Sequence, residues 1–135
     1  MGLTTDRSDP GLRKIRADGQ QEVYLILSEE ERKKGFVRPV RRSYLHLRCG
    51  SVTTMGTALC ETYSRDPHFY GGTMCVHCGT HFPLRDYSPE AKSIDGWAFL
   101  WEPDGDPVGS DAEEADEFFA KRKQEEAEKH AGEGI

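Results

Sequence analysis

Two five-residue stretches carry most of the chemical capacity of this chain. "HLRCG" spans residues 46–50 and "CVHCG" spans residues 75–79. In each, two donors of metal-binding type stand three apart and a glycine follows the second. Donors at that spacing reach one ion when the backbone turns tightly between them, and the glycine accepts the positive φ such a turn leaves. His46, Cys49, Cys75 and Cys78 therefore form a candidate set of one imidazole and three thiolates. Zn2+ is the expected cofactor, because thiolate-rich tetrahedral sets suit it. His81 and His77 are alternative fourth donors, but only His46 gives the first stretch a pair matching the second. Cys60 reads as a buried small hydrophobe and His68 as a surface loop residue.

A metal held by four strong donors has no open corner for water, which argues against catalysis. Glu61 is the nearest acid in sequence and stands in no H-E-x-x-H or H-x-E pattern. No phosphate-cradling glycine loop and no G-x-S-x-G elbow occurs. The reading is a non-enzymatic module, with a zinc-dependent hydrolase as a lesser alternative. A thiol redox motif also has the C-x-x-C form, but such motifs open a helix, and "GTHFP" after Cys78 breaks one.

A second chemistry lies in the charge pattern. Residues 1–31 sum to −3, 32–60 to +7, 61–85 to zero and 86–135 to −10, within a net charge of −6. In the basic block Arg38, Arg41, Arg42 and Arg48 are interleaved with Phe36 and Tyr44, a composition suited to phosphates and stacked bases. Nucleic acid is the expected partner, through Arg38, Arg41, Arg42, Tyr44 and Arg48. A solvated basic face, or a cradle for the acidic final block, is the competing reading.

These residues need elements to hold them. Residues 1–21 lack apolar periodicity and are expected as a flexible leader. "EVYLILS" (22–28) suits a strand, and Ser28 with Glu31 opens a short helix that Gly35 ends. "FVRPVRRSYLHL" (36–47) suits an edge strand or extended arm, because Pro39 cannot donate to a ladder. Met55, Leu59 and Tyr63 share one stripe and predict a helix over 53–65. "THFPL" and "WAFLW" (97–101) suit strands, the second entering a turn at Asp104-Gly105. From Ser110 to about His130 acids precede bases, predicting a solvated helix docked by Phe118 and Phe119 alone. The expected fold is a small α+β, zinc-ribbon-like domain over 22–110 with a charged helix and tail over 111–135.

At the two CxxCG-like stretches the chain resembles zinc ribbons, in which two hairpin knuckles clamp one ion. It departs from that pattern in its first ligand, a histidine, and in the helix between the knuckles. Over a wider span, "GFVRPVRRSYLHLRCG", "ETYSRDPHFYGGTMCVHCGTHFP" and "FLWEPDGDPVG" resemble small uncharacterised proteins of tailed phages. That resemblance implies an accessory protein whose partner is nucleic acid or a host protein it inhibits. At 36% hydrophobic and 31% charged, the chain needs more than a core to hold it together. It shows no membrane-length apolar run, no signal peptide and no myristoylation pattern, so a soluble cytoplasmic setting with reduced thiols is expected.

Overall fold

The computed structural model describes residues 2–133. It is a small α+β fold built on three small sheets and three helices. The central sheet has strand order β4-β3-β7, with β3 at Ser43–His46, β4 at Val52–Thr54 and β7 at Phe99–Trp101, all antiparallel. Its free edge beyond β7 is covered by the returning chain, where Val108 N–H donates to Phe99 O and Trp101 N–H to Asp106 O. A separate hairpin pairs β5 (Gly72–Cys75) with β6 (Thr80–Pro83).

Both faces of the central sheet are buried, for a reason visible in its register. Tyr44 lies opposite Trp101 and His46 opposite Phe99. Strand alternation puts these four on one face. There they meet Tyr63 of α2 (Thr57–Arg65), Cys75 and Leu84 to form the main core. The intervening Leu100 faces the other way and packs with Trp97 and Phe118. Phe118 belongs to α3 (Ala112–Glu133) and docks that helix, while Phe119, expected to share that role, stays 39% exposed.

The helix starts follow local hydrogen-bonding chemistry. Ser28 caps α1 (Glu29–Arg32) by accepting from Glu31 N–H, and Gly35 follows at φ 123°. Asp111 and Glu114 cap the start of α3 reciprocally, each side chain accepting from the other residue's backbone N–H. His68, expected as a simple loop residue, reaches across to this cap and sits 2.5 Å from Glu114 Oε1.

Three expectations need correction. Residues 2–21 are not a flexible leader. Strand β1 (Gly2–Thr4) pairs in parallel with β2 (Val23–Leu25), and a 3-10 turn at Pro10–Arg13 is capped by Asp9. Gly19, at φ 89°, lies so close to the second knuckle that a Cβ would stand 1.8 Å from Gly79 O. Periodicity could not reveal this, because the segment is held by turns and strand pairing rather than by an apolar stripe. Strand β3 is central rather than an edge, which is possible because Pro39 lies in the arm before it. Residues 53 and 54 pair with β3, so the helix opens only at Thr57.

The basic block is neutralised within the fold. Arg32 meets Glu61 at 3.0 Å, Lys33 meets Glu29 at 2.9 Å and Lys34 meets Glu31 at 2.7 Å. Arg38 and Arg41 both meet Asp106, the second at 2.6 Å, and Arg41 also meets Asp104 at 3.0 Å. Arg48 meets Asp86 at 3.0 Å. The +7 of residues 32–60 is thus a property of the chain order and not of the folded surface. Among the described residues of the block only Arg42 lacks an acidic partner, donating instead to Thr57 Oγ1.

Asp106 is the buried hub of this pairing, holding two guanidinium groups that are themselves largely buried. Asp106→Ala is expected to cost about 3–5 kcal/mol, since it leaves buried charge uncompensated. Urea unfolding checks this, with Glu30→Ala, an exposed acid, expected near zero.

Holding α3 gives a second expectation. The carboxylate of Glu114 raises the His68 pKa through their hydrogen bond, with burial opposing and Asp111 and Asp66 adding to the rise. A folded pKa above the unfolded value means stability that is full below about pH 6.5 and lost as pH rises through the folded pKa. Melting temperature across pH 5–8 is therefore expected to fall more steeply for the native chain than for His68→Gln.

Candidate metal centre

The two donor pairs sit on two copies of one local structure. The first bridges β3 to β4 and the second bridges β5 to β6. In the first, Gly50 N–H donates to His46 O at 2.7 Å; in the second, Gly79 N–H donates to Cys75 O at 2.9 Å. Gly50 and Gly79 stand at φ 73° and 72°. This left-handed conformation is one that residues with a Cβ avoid. Each knuckle presents one donor from the end of its first strand, His46 or Cys75, and one from the turn, Cys49 or Cys78. The strand donors are fully buried, and the turn donors lie nearer solvent.

The knuckles meet face to face. One ligand atom from each of His46, Cys49, Cys75 and Cys78 lies within 4.8 Å of every other. Cys49 Sγ is 3.6 Å from Cys75 Sγ, and His46 Nδ1 is 3.4 Å from Cys49 Sγ and 3.7 Å from Cys78 Sγ. A tetrahedral ion with metal–sulfur bonds near 2.3 Å holds its sulfurs about 3.8 Å apart, and a nitrogen about 3.5 Å from each sulfur. The observed separations match those of one shared ion. They exceed by far the roughly 2.05 Å of a disulfide.

His46 is fixed by the core. Its ring stacks on Phe99 with centroids 4.5 Å apart and 16° between planes, and meets Phe82 on the other side, also at 4.5 Å. That sandwich aims Nδ1 at the three sulfurs and leaves Nε2 buried without a hydrogen-bond partner. Burial lowers the His46 pKa, and the Arg48 guanidinium adds to the effect. The ring is therefore neutral at pH 7, the form that binds a metal.

The thiols also fit a cation. Burial opposes ionisation of Cys49, but hydrogen bonds from Ser51 and the neighbouring thiols outweigh it and hold this thiol below its ordinary value. Desolvation, followed by the neighbouring Cys75 and Cys49 sulfurs, pushes Cys78 up to about 12 even though the residue reaches the surface. Three sulfurs this close do not all ionise until a positive ion shares them.

The structure also separates the competing donors. His81 points away from the cluster, with Nε2 2.9 Å from Tyr24 Oη, and ties β6 to β2. His77 is exposed within the second turn. Cys60 is fully buried in α2, as expected of a small hydrophobe, with Sγ 3.6 Å from Met55 O. Phe82 and Phe99, which orient the histidine, were not visible as site residues. Nothing in their local sequence marks them, since their role arises from cross-sheet register.

The residues expected to touch nucleic acid are placed differently. Tyr44 is at the centre of the core, its hydroxyl donating to Met74 O, so its ring does not stand on the surface beside the arginines. Arg41 lies 5.0 Å above the Trp101 ring and Arg48 4.9 Å above the Phe82 ring, in addition to their ion pairs. Arg38 is held by Asp106. Arg42 is exposed. These side chains do not form a common face, because the strand and arm turn most of them inward.

No protein-family model matches this chain, and no curated protein and no solved structure matches it at a significant level. The donor geometry loosely fits a zinc-ribbon-like site, and no helix among the described residues is long and apolar enough to cross a membrane.

The ligand assignment gives a graded expectation for metal content. His46→Ala is expected to lose bound metal, whereas His81→Ala keeps it. His46→Cys is expected to keep metal, since a thiolate fits the same corner. It is also expected to melt lower, because a small side chain leaves a gap between Phe82 and Phe99. Elemental analysis and thermal melts of the three variants check the set.

Proposed function

We propose that the cluster holds one zinc ion with a structural role and that the protein is a zinc-stapled binding module without catalysis of its own. The observation that carries this reading is the donor set. Three sulfurs and one imidazole nitrogen at tetrahedral separations fill the coordination sphere and leave no corner for water or substrate. Zinc suits such a set better than calcium or magnesium, which take oxygen ligands.

The favoured partner is a protein surface. Along residues 36–42 polarity is inverted: Arg38 and Arg41 turn inward to Asp106, while Phe36, Val37 and Val40 are exposed. The ridge is fixed from behind, with Val37 and Arg38 N–H both donating to Ser64 O and Ser64 Oγ donating to Pro39 O. Three apolar side chains on a pinned segment suit an apolar partner. A phosphate backbone would find little free charge here. Nucleic acid is the second reading, and it rests on Arg42 together with opening of the arginine pairs.

Purified protein is expected to contain one zinc per chain and to unfold on chelation. Structural zinc sites bind with about 10–16 kcal/mol, as large as the whole stability of a typical domain. A metal-free preparation with an unchanged melting curve would reject the structural role. For the partner, native protein and Val37→Asp are compared as baits in nuclease-treated host lysate. A band lost with Val37→Asp, kept with Arg42→Ser and insensitive to salt supports the ridge. Tight binding of a labelled duplex or single strand that weakens steeply with salt overturns it in favour of nucleic acid.

A further inference from the structure

Beside the second knuckle, between the edges of β4 and β5, lies a half-open cavity of about 120 Å3. Tyr24, Tyr44, Tyr63 and Tyr70 contribute to its walls, four of the chain's five tyrosines, together with Met55 and Met74. No charged side chain lines it among the described residues. Burial pushes the phenols of Tyr63 and Tyr70 up, so this wall is neutral at physiological pH.

Several of its polar groups are already engaged. Tyr44 Oη donates to Met74 O, Thr73 Oγ1 donates to Tyr44 Oη at 3.1 Å, and Thr53 Oγ1 accepts from Val76 N–H at 3.2 Å. An occupant therefore gains mainly ring and thioether contacts. Phenol rings favour edge-to-face partners, and methionine sulfur favours ring edges. A charged group would enter without a counter-ion. The volume limits the occupant to about one six-membered ring, since a dry cavity of about 150 Å3 takes benzene.

We propose that this cavity is a binding site for a small, neutral, single-ring aromatic molecule. The site is distinct from the 36–40 ridge and from the metal, so an occupant could be present with or without a protein partner.

Gly56 offers a place to add bulk at the cavity's exposed rim without displacing a wall. It lines the cavity, its φ is −71°, and a Cβ there would meet nothing within 4 Å. The test uses metal-loaded, full-length protein labelled at its methionine methyl groups and titrated with phenol, cyclohexanol and benzoate. Phenol is expected to shift the Met55 and Met74 methyl resonances saturably. Cyclohexanol, of similar size, is expected to bind about three- to tenfold more weakly, the measure of ring interactions. Benzoate is expected to bind at least about tenfold more weakly. Gly56→Leu, with metal content unchanged, is expected to abolish the phenol shifts. Absence of saturation, equal binding of benzoate or cyclohexanol, or full phenol binding by Gly56→Leu would each overturn the proposal.

Discussion

Bringing three sulfurs and a buried imidazole to one point is costly unless a cation sits among them, and most of the fold is arranged around that constraint. Each knuckle grows from the end of a strand whose other residues are core, so the donors are set by the same registers that set the core. His46 and Phe99 are partners across β3 and β7, and their ring stacking is both core packing and ligand orientation. Cys75 is a member of the main hydrophobic cluster while also being a donor. The donor cluster is therefore continuous with the interior, and a change in either is felt by the other.

Around this centre the protein uses ion pairs where a larger domain would use apolar mass. Arg41 is buried against Trp101 and closed off by Asp104 and Asp106. Arg48 covers Phe82 and is fixed by Asp86. In both cases the guanidinium lies over an aromatic ring while also meeting a carboxylate. These contacts tie the loop after β7 to the arm before β3, and the first knuckle to the segment after β6. The arrangement suits a chain with a modest share of apolar residues.

What could be read from the sequence followed from local rules. Each donor pair with its following glycine and the Ser28 cap depend on residues within a few positions of one another, and the docking of α3 by Phe118 was legible because large apolar residues are so scarce in that segment. The misreadings concern distance. Tyr44 and Arg41 carry the composition of a nucleic-acid surface, but their burial is decided by Trp101, Met74 and Asp106, which lie 30 or more positions away. The same holds for Gly19, whose role is set by Gly79. Charge blocks counted along the chain likewise say little about the folded surface when their neutralising partners lie in other blocks.

The placement of residues 2–25 bears on the order in which the molecule assembles during synthesis. Tyr24 is secured by His81, 57 positions later, and Leu25 O by Tyr70, 45 positions later. At about 5–20 residues per second, several seconds separate emergence of this segment from emergence of its anchors. A pair of three-residue strands does not persist alone in water over that interval. This segment, made well before its anchors, is thus among the last to settle. For about 26 residues of elongation after Cys49 appears, the first knuckle also waits as an open imidazole–thiol pair before Cys75 arrives. Vectorial synthesis therefore exposes a half-built chelate, and a nascent chain stalled between the two knuckles would present it to any soft metal or oxidant nearby.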